Sequence, residues 1–236
     1  MAAYTMATTA AHKRTLMPQR SDARLAELIA KRVLPGYPSR TLLDIGCGDG
    51  VLSRHLPAGM QYTGLDINEA CIYEQIHDNP HVRYVKAGDI PGLMENEGPW
   101  DTITLLDVIE HTRDFTSLFE KALARANHQV VVSIPNELFV LDRLRMFCGQ
   151  ELNAHSLDLI NQPEGFKHQF IINISKARVI LSEKALAAGF MLKEEILRPL
   201  ISKQVLYQPA LWAMRQISTD QLWSMGSVFV FSRHHE

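Results

Sequence analysis

The sequence predicts an α/β fold: a doubly wound, mostly parallel seven-stranded sheet with helices on both faces. Three observations lead there. Short apolar runs alternate with amphipathic helical stretches along most of the chain. Several of those runs, such as QVVVSIPN at 129–136, are apolar at consecutive positions, as strands covered on both faces are. The stretch LLDIGCGDG at 42–50 leaves an apolar run through three glycines at alternate positions, a sharp strand-to-helix turn.

The elements follow in order. Ser21-Asp22 caps a first helix with Leu25, Leu28, Ile29 and Val33 on one face, and Pro35-Gly36 ends it. TLLDIG (41–46) is the first strand and a short helix follows the glycines. YTGLDI (62–67) is the second strand, after which Asn68 caps the helix NEACIYEQIH. VRYVKA (82–87) is the third strand and DTITLLDV (101–108) the fourth. Asp114 caps FTSLFEKALARA, and QVVVSIPN is the fifth strand. Ser175 caps a helix that ends near Gly189, and MLKEEILRP (191–199) and GSVFVFSR (226–233) complete the sheet.

Residues 136–173 break this rhythm. They are too long for a tight connection and read as an insertion covering a ligand crevice. Its apolar residues Leu138, Phe139, Leu141, Leu144, Met146 and Phe147 suit a helix packed on the sheet, the wall of an acceptor pocket, or both. Residues 1–20 form an N-terminal arm, and 21–236 a single domain. The arm lacks acids and resembles an organelle transit peptide in composition, but its arginine content is low.

Lys plus Arg number 24 and Asp plus Glu 26, so the chain is close to neutral, which disfavours a nucleic-acid partner. Cys47, Cys71 and Cys148 are far apart and odd in number, with no CxxC, so a reduced, cytoplasmic setting is expected. No apolar run approaches the ~18 residues of a spanning helix, so no membrane partner is expected. The sequence sets no oligomeric state.

Glycines at a strand-to-helix turn let the backbone approach a ligand closely. A dinucleotide site uses G-x-G-x-x-G/A, whereas Gly46, Gly48 and Gly50 are followed by Val51 where the third small residue belongs. Asp66, about twenty residues beyond Gly46, suits a ribose diol. Asp89, in Gly88-Asp89-Ile90, offers an acceptor to an exocyclic adenine amine.

On these residues the chain resembles the class I S-adenosylmethionine-dependent methyltransferases. LLDIGCGDG matches the first motif of that family, GLDI the second, AGDI the third, WDTITLLDVIEH the fourth and VVVSIPN the fifth strand; LAAGF before the sixth strand also fits. The matches run in order from about residue 40 to 136. The resemblance implies a Rossmann-like methyltransferase fold and S-adenosyl-L-methionine as cofactor. It implies a cofactor site of Asp44, Gly46, Cys47, Gly48, Gly50, Asp66, Ile67, Asp89, Ile90 and Asp107. In that site Asp66 takes the ribose, Asp89 the adenine and Asp44 the methionine end, and Cys47 contributes its backbone.

A hydroxyl nucleophile also needs a base. LLDVIEHT places Asp107, Glu110 and His111 at i, i+3 and i+4, on one face if a helical turn begins there. His111, and His168 in GFKHQF at the end of the insertion, are the candidate catalytic residues. DVIEH with KHQF also resembles the small-RNA 3′-end 2′-O-methyltransferases, which bind a metal through Glu-x-x-Glu-His and a downstream histidine; Asp107 stands in for the first Glu. The IEH run is shared with small-molecule enzymes of the ubiquinone-biosynthesis O-methyltransferase type. SIPN with HQF is similar to a methyltransferase-like accessory protein of methionine biosynthesis. The expected function is methyl transfer to the oxygen or nitrogen of a small-molecule acceptor, with no metal ligand assigned. A metal-assisted RNA 3′-terminal 2′-O-methyltransferase and an accessory protein acting with a partner enzyme are the alternatives.

Overall fold

The computed structural model describes residues 13–16, 22–36, 39–68, 81–86, 90–162, 165, 167–199 and 208–234. Eight strands form one sheet: β1 (Lys13–Leu16), β2 (Thr41–Ile45), β3 (Gln61–Asp66), β4 (Val82–Lys86), β5 (Trp100–Leu106), β6 (Ala126–Pro135), β7 (Phe190–Pro199) and β8 (Ser224–Arg233). Their order is β1-β7-β8-β6-β5-β2-β3-β4. Only β8 runs antiparallel to its neighbours, β6 and β7. The seven expected strands are all present. The eighth, β1, lies within the N-terminal arm and pairs in parallel with the outer side of β7.

The pleat explains why β2 is buried at four consecutive positions, Leu42 to Ile45. Alternate side chains enter opposite cores. Leu42 joins Tyr62, Val131 and Val228 beneath α1 (Asp22–Leu28). Leu43 and Ile45 join Ile103, Val130 and Val132 beneath α3 (Phe115–Arg125) and α5 (Ile174–Ala187). There Phe119 of α3 meets Phe231 of β8 at a ring distance of 5.3 Å. Each such fully buried side chain contributes roughly 1.5–3 kcal/mol. Helix α2 (Ile90–Asn96) closes the same face with Met94.

Asp114 caps α3 as expected, accepting from the Ser117 N–H. The cap of α5 is Asn173, which accepts from the Lys176 N–H, rather than Ser175. The helix therefore begins two residues earlier than the sequence reading placed it. The expected helix at 68–77 falls, beyond Asn68, outside the described residues.

After Asn136 the chain leaves the sheet. It forms α4 (Val140–Phe147), which buries no residue, and two short 3-10 turns, then returns through Ile172, which is buried. Leu144 is 53% exposed and Phe147 89%, so α4 does not pack on the sheet through its apolar side chains. Helices α6 (Gln208–Ile217) and α7 (Asp220–Trp223) lead into β8, and Trp223 is buried while Trp212 is exposed.

Strand order reverses between β2 and β5. Such a point opens a crevice beyond the carboxyl ends of the strands.

Candidate functional site

A cavity of about 250 Å³ lies at that reversal, lined by Leu25, Ala26, Asp44, Gly46, Cys47, Asp49, Val51, Leu52, Leu106 and Asp107. Its floor is the glycine turn. The Gly46 and Cys47 N–H groups both donate to the Leu65 carbonyl, at 2.7 and 3.0 Å, which ties the turn to the end of β3.

The three glycines are bare for different reasons. A Cβ on Gly46 would fall 2.4 Å from Val108 Cγ2, and one on Gly50 2.1 Å from the Tyr84 hydroxyl. Both therefore permit close packing within the protein. Around Gly48 nothing lies within 4 Å of an added Cβ. Its φ of +53° is left-handed, so a side chain there is strained without any protein neighbour gaining from its absence. An open, bare backbone beside a cavity suits a ligand.

Asp66 ends β3 and is buried. Its Oδ2 accepts from the Gly48 N–H at 3.0 Å and its Oδ1 from the Asn68 N–H at 2.8 Å. Ile67 beside it is 39% exposed, and Gly165 of the insertion sits against it, an added Cβ there falling 3.0 Å from Ile67 Cδ1. Ile90 packs partly on the core. Asp89 lies outside the described residues. The Cys47 thiol is pushed up by burial, then by the charges of Asp44 and Asp66, so it stays protonated at neutral pH.

Asp44 accepts from the Thr104 hydroxyl at 2.6 Å and from the Tyr62 hydroxyl at 2.7 Å. Burial pushes its carboxyl up to about 6, against the lowering by those two hydroxyls, with a smaller upward push from Asp66. The folded protein thus holds this proton more tightly than the unfolded chain does. That stability is complete below the ordinary carboxylate pKa and is lost as pH rises toward 6. A shift of this size corresponds to about 3 kcal/mol. Asp44→Asn keeps the shape and removes the titration. Urea unfolding should show the variant gaining on the wild type by up to about 3 kcal/mol between about pH 4 and about pH 7. An unchanged difference between the two would refute the assignment.

Asp107, Glu110 and His111 do not form one helical face. Asp107 precedes a 3-10 turn at Ile109–His111 and has a φ of +53°. Its carboxylate is taken by the Arg198 guanidinium, at 2.7 and 2.8 Å, and by the Ser133 hydroxyl at 2.7 Å. Glu110 is buried, and its Oε2 has no partner among the described residues. Burial, then the charge of Asp107, pushes its carboxyl well up. His111 is half-buried, and its Nδ1 has no partner among the described residues. Burial, then neighbouring His168, pulls its pKa down.

His168 comes to His111 as an edge-to-face pair with ring centres 4.6 Å apart. Its Nδ1 lies 2.8 Å from Glu137 Oε1, and the same oxygen is 2.9 Å from His155 Nε2. Candidate ligating atoms lie within 4.8 Å of one another in two overlapping sets, Glu110–His111–His168 and Glu137–His155–His168. Asp107 belongs to neither. Glu137, His155 and Arg198 are absent from the sequence reading. The one signal was a carboxylate and a histidine inside the insertion, which by themselves mark nothing.

Residues 15–169 match a family model described as a methyltransferase domain. A ubiquinone biosynthesis O-methyltransferase of Pseudomonas paraeruginosa is 32% identical over 101 residues, a match spanning 41% of this chain and 41% of that protein. Among solved structures, a SAM-dependent methyltransferase from Archaeoglobus fulgidus aligns with a TM-score of 0.60 at 16% identity, over 91% of this chain and 96% of that one. The magnesium protoporphyrin IX methyltransferase of Synechocystis PCC 6803, with SAH bound, aligns at 0.56 and 18% identity, over 90% and 86%. At these identities the structures speak for the fold.

Proposed function

Because the chain belongs to the methyltransferase domain family, we propose that it moves a methyl group from S-adenosylmethionine to the oxygen or nitrogen of a small-molecule acceptor. One observation carries the reading: an open glycine backbone at Gly48, hydrogen-bonded to a buried Asp66, at the point where strand order reverses. The residues fit the cofactor chemically. It is a cation at its sulfonium and ammonium; Asp44 lines the cavity, and the Asp66 carboxylate is bonded to Gly48 of the adjoining glycine turn. Its ribose diol matches the free acceptor capacity of Asp66, whose two described bonds leave lone pairs unused.

When bound, the cofactor supplies the activated methyl group. The protein's part is alignment and proton removal. The glycine turn and Asp66, which are bonded to each other and to the end of β3, would hold the cofactor. Acceptor placement in line with the methyl group is worth up to ~7–11 kcal/mol in well-arranged systems. In this reading His111, four residues beyond Asp107, and His168, paired with it, take the hydroxyl or ammonium proton.

Of the quartet behind the metal-assisted RNA reading, Glu110, His111 and His168 come together, while Asp107 is paired with Arg198. The name of the Pseudomonas relative instead favours a small O-methyl acceptor. The test is calorimetric titration with S-adenosylhomocysteine, with NAD as control. Methyl transfer from labelled S-adenosylmethionine to a panel of phenols, catechols and aromatic amines follows. Micromolar binding without NAD binding is expected. A folded protein that binds neither compound rules the proposal out.

A further inference from the structure

We infer that Glu137 is a positioning residue: its buried carboxylate fixes the tautomer of His168, and so leaves Nε2 as the acceptor nitrogen of that ring. The catalytic meaning of this arrangement rests on the methyl-transfer reading above; the tautomer itself does not.

Glu137 lies two residues beyond the end of β6 and is 6% exposed. Its two oxygens have separate tasks. Oε2 accepts from the Ile172 N–H at 3.0 Å, and the Glu137 N–H in turn donates to the Ile172 carbonyl. Oε1 receives two imidazoles, His168 through Nδ1 and His155 through Nε2. The start, middle and end of the insertion therefore converge on one carboxylate.

Burial works against the charge of Glu137. The hydrogen bonds from His168, Ile172 and His155 outweigh it, and its pKa falls below the ordinary value. An ionised carboxylate only accepts. Each ring nitrogen facing Oε1 must then carry a proton. A neutral imidazole has one N–H, so in its neutral form His168 carries that proton on Nδ1 and leaves Nε2 unprotonated. By the same rule His155 carries its proton on Nε2.

Beside His168, His111 has a buried Nδ1 with no partner among the described residues, and the backbone of Lys167, the residue before His168, acts to raise its pKa. The two imidazoles stand edge to face at 4.6 Å, and His111 follows Asp107 of the cavity wall by four residues. An unoriented pair would spend part of its time with N–H groups turned toward the acceptor, and in that state it removes no proton.

Glu137→Gln tests this without much change in shape. The amide has one oxygen for positions that demand two. If that oxygen serves the Ile172 N–H, an NH₂ group faces the imidazoles and favours the opposite tautomers. If it serves the imidazoles, two N–H groups collide at Ile172.

The measurement is long-range ¹H–¹⁵N spectroscopy of the full chain labelled at histidine, near neutral pH, with His168→Gln and His155→Gln assigning the rings. The wild type is expected to show His168 as Nδ1–H and His155 as Nε2–H. Glu137→Gln is expected to shift His168 toward Nε2–H and to slow methyl transfer to catechol at least tenfold. Its affinity for S-adenosylhomocysteine should stay within about twofold. A wild-type His168 protonated at Nε2 overturns the inference without any variant. So does a His168 spectrum that Glu137→Gln leaves unchanged. A wild type inactive toward catechol would count against the acceptor reading alone, because the tautomer is read in the absence of any acceptor.

Discussion

Replacing Asp66 by alanine should weaken binding of S-adenosylhomocysteine by about two orders of magnitude or more. The carboxylate is buried at the end of β3 and has two described bonds, to the Gly48 and Asn68 N–H groups. An ionised carboxylate has about four acceptor positions. The remaining ones are available to a ribose diol, which offers two O–H donors. Hydrogen bonds to charged groups contribute about 1.5–3 kcal/mol each, so losing two predicts a drop of roughly a hundredfold to ten-thousandfold. A second loss adds to this. Without Asp66 the Gly48 N–H has no acceptor, and the bare segment of the turn is no longer held against β3. Asp66→Asn separates the two effects. One oxygen remains to accept, so an intermediate loss is expected. Calorimetry on both variants, with thermal melts to show that they fold, makes the comparison. Wild-type affinity in a folded Asp66→Ala would remove the ribose from this carboxylate and with it the strongest support for the site.

What the sequence disclosed and what it hid divide along physical lines. β2, β5 and β6 were legible because strands buried on both faces carry apolar residues at consecutive positions, such as Leu42-Leu43, Leu105-Leu106 and Val130–Val132, and the glycine turn because a left-handed backbone needs glycine locally. Lys13–Leu16 was not. It is a four-residue edge strand with two basic side chains, and only its pairing with β7 makes it a strand. The start of α5 was misplaced because Asn173 and Ser175 are both capping types two residues apart, and the path of the returning chain decides between them. Asp107, His111 and His168 were named from the sequence pattern, yet Arg198 and Glu137, the partners of Asp107 and His168, were not. Arg198 lies 91 residues from Asp107, and Glu137 lies 18 and 31 residues from the two histidines it holds. Such contacts depend on how an insertion folds back, which no local period records.

The proton acceptor is the second large effect. In the proposed reaction, His111→Ala should slow methyl transfer to a hydroxyl acceptor by about 10²–10⁴-fold, the usual contribution of a positioned base. Cofactor affinity should hardly change, since His111 does not line the cavity. The pH dependence gives a sharper test than the loss of rate. Burial, then the nearby His168, holds the His111 pKa below its ordinary value. Three groups act in the opposite direction: the Lys167 backbone hydrogen bond and the charges of Asp107 and Glu137. Buried Glu110, its own carboxyl pushed up, lies against the same ring pair. The net lowering keeps His111 neutral, and able to accept, to lower pH than a free imidazole. The wild-type rate should therefore stay level as pH falls past about 6.5 and decline only below it. Single-turnover methyl transfer across this range measures the limb directly, with the cofactor bound beforehand. If His111→Ala keeps both the rate and the acid limb, His111 does not take the proton. If His168→Gln alone abolishes the limb, the role passes to the ring that Glu137 holds. A limb that survives in both variants would place the base outside this imidazole pair.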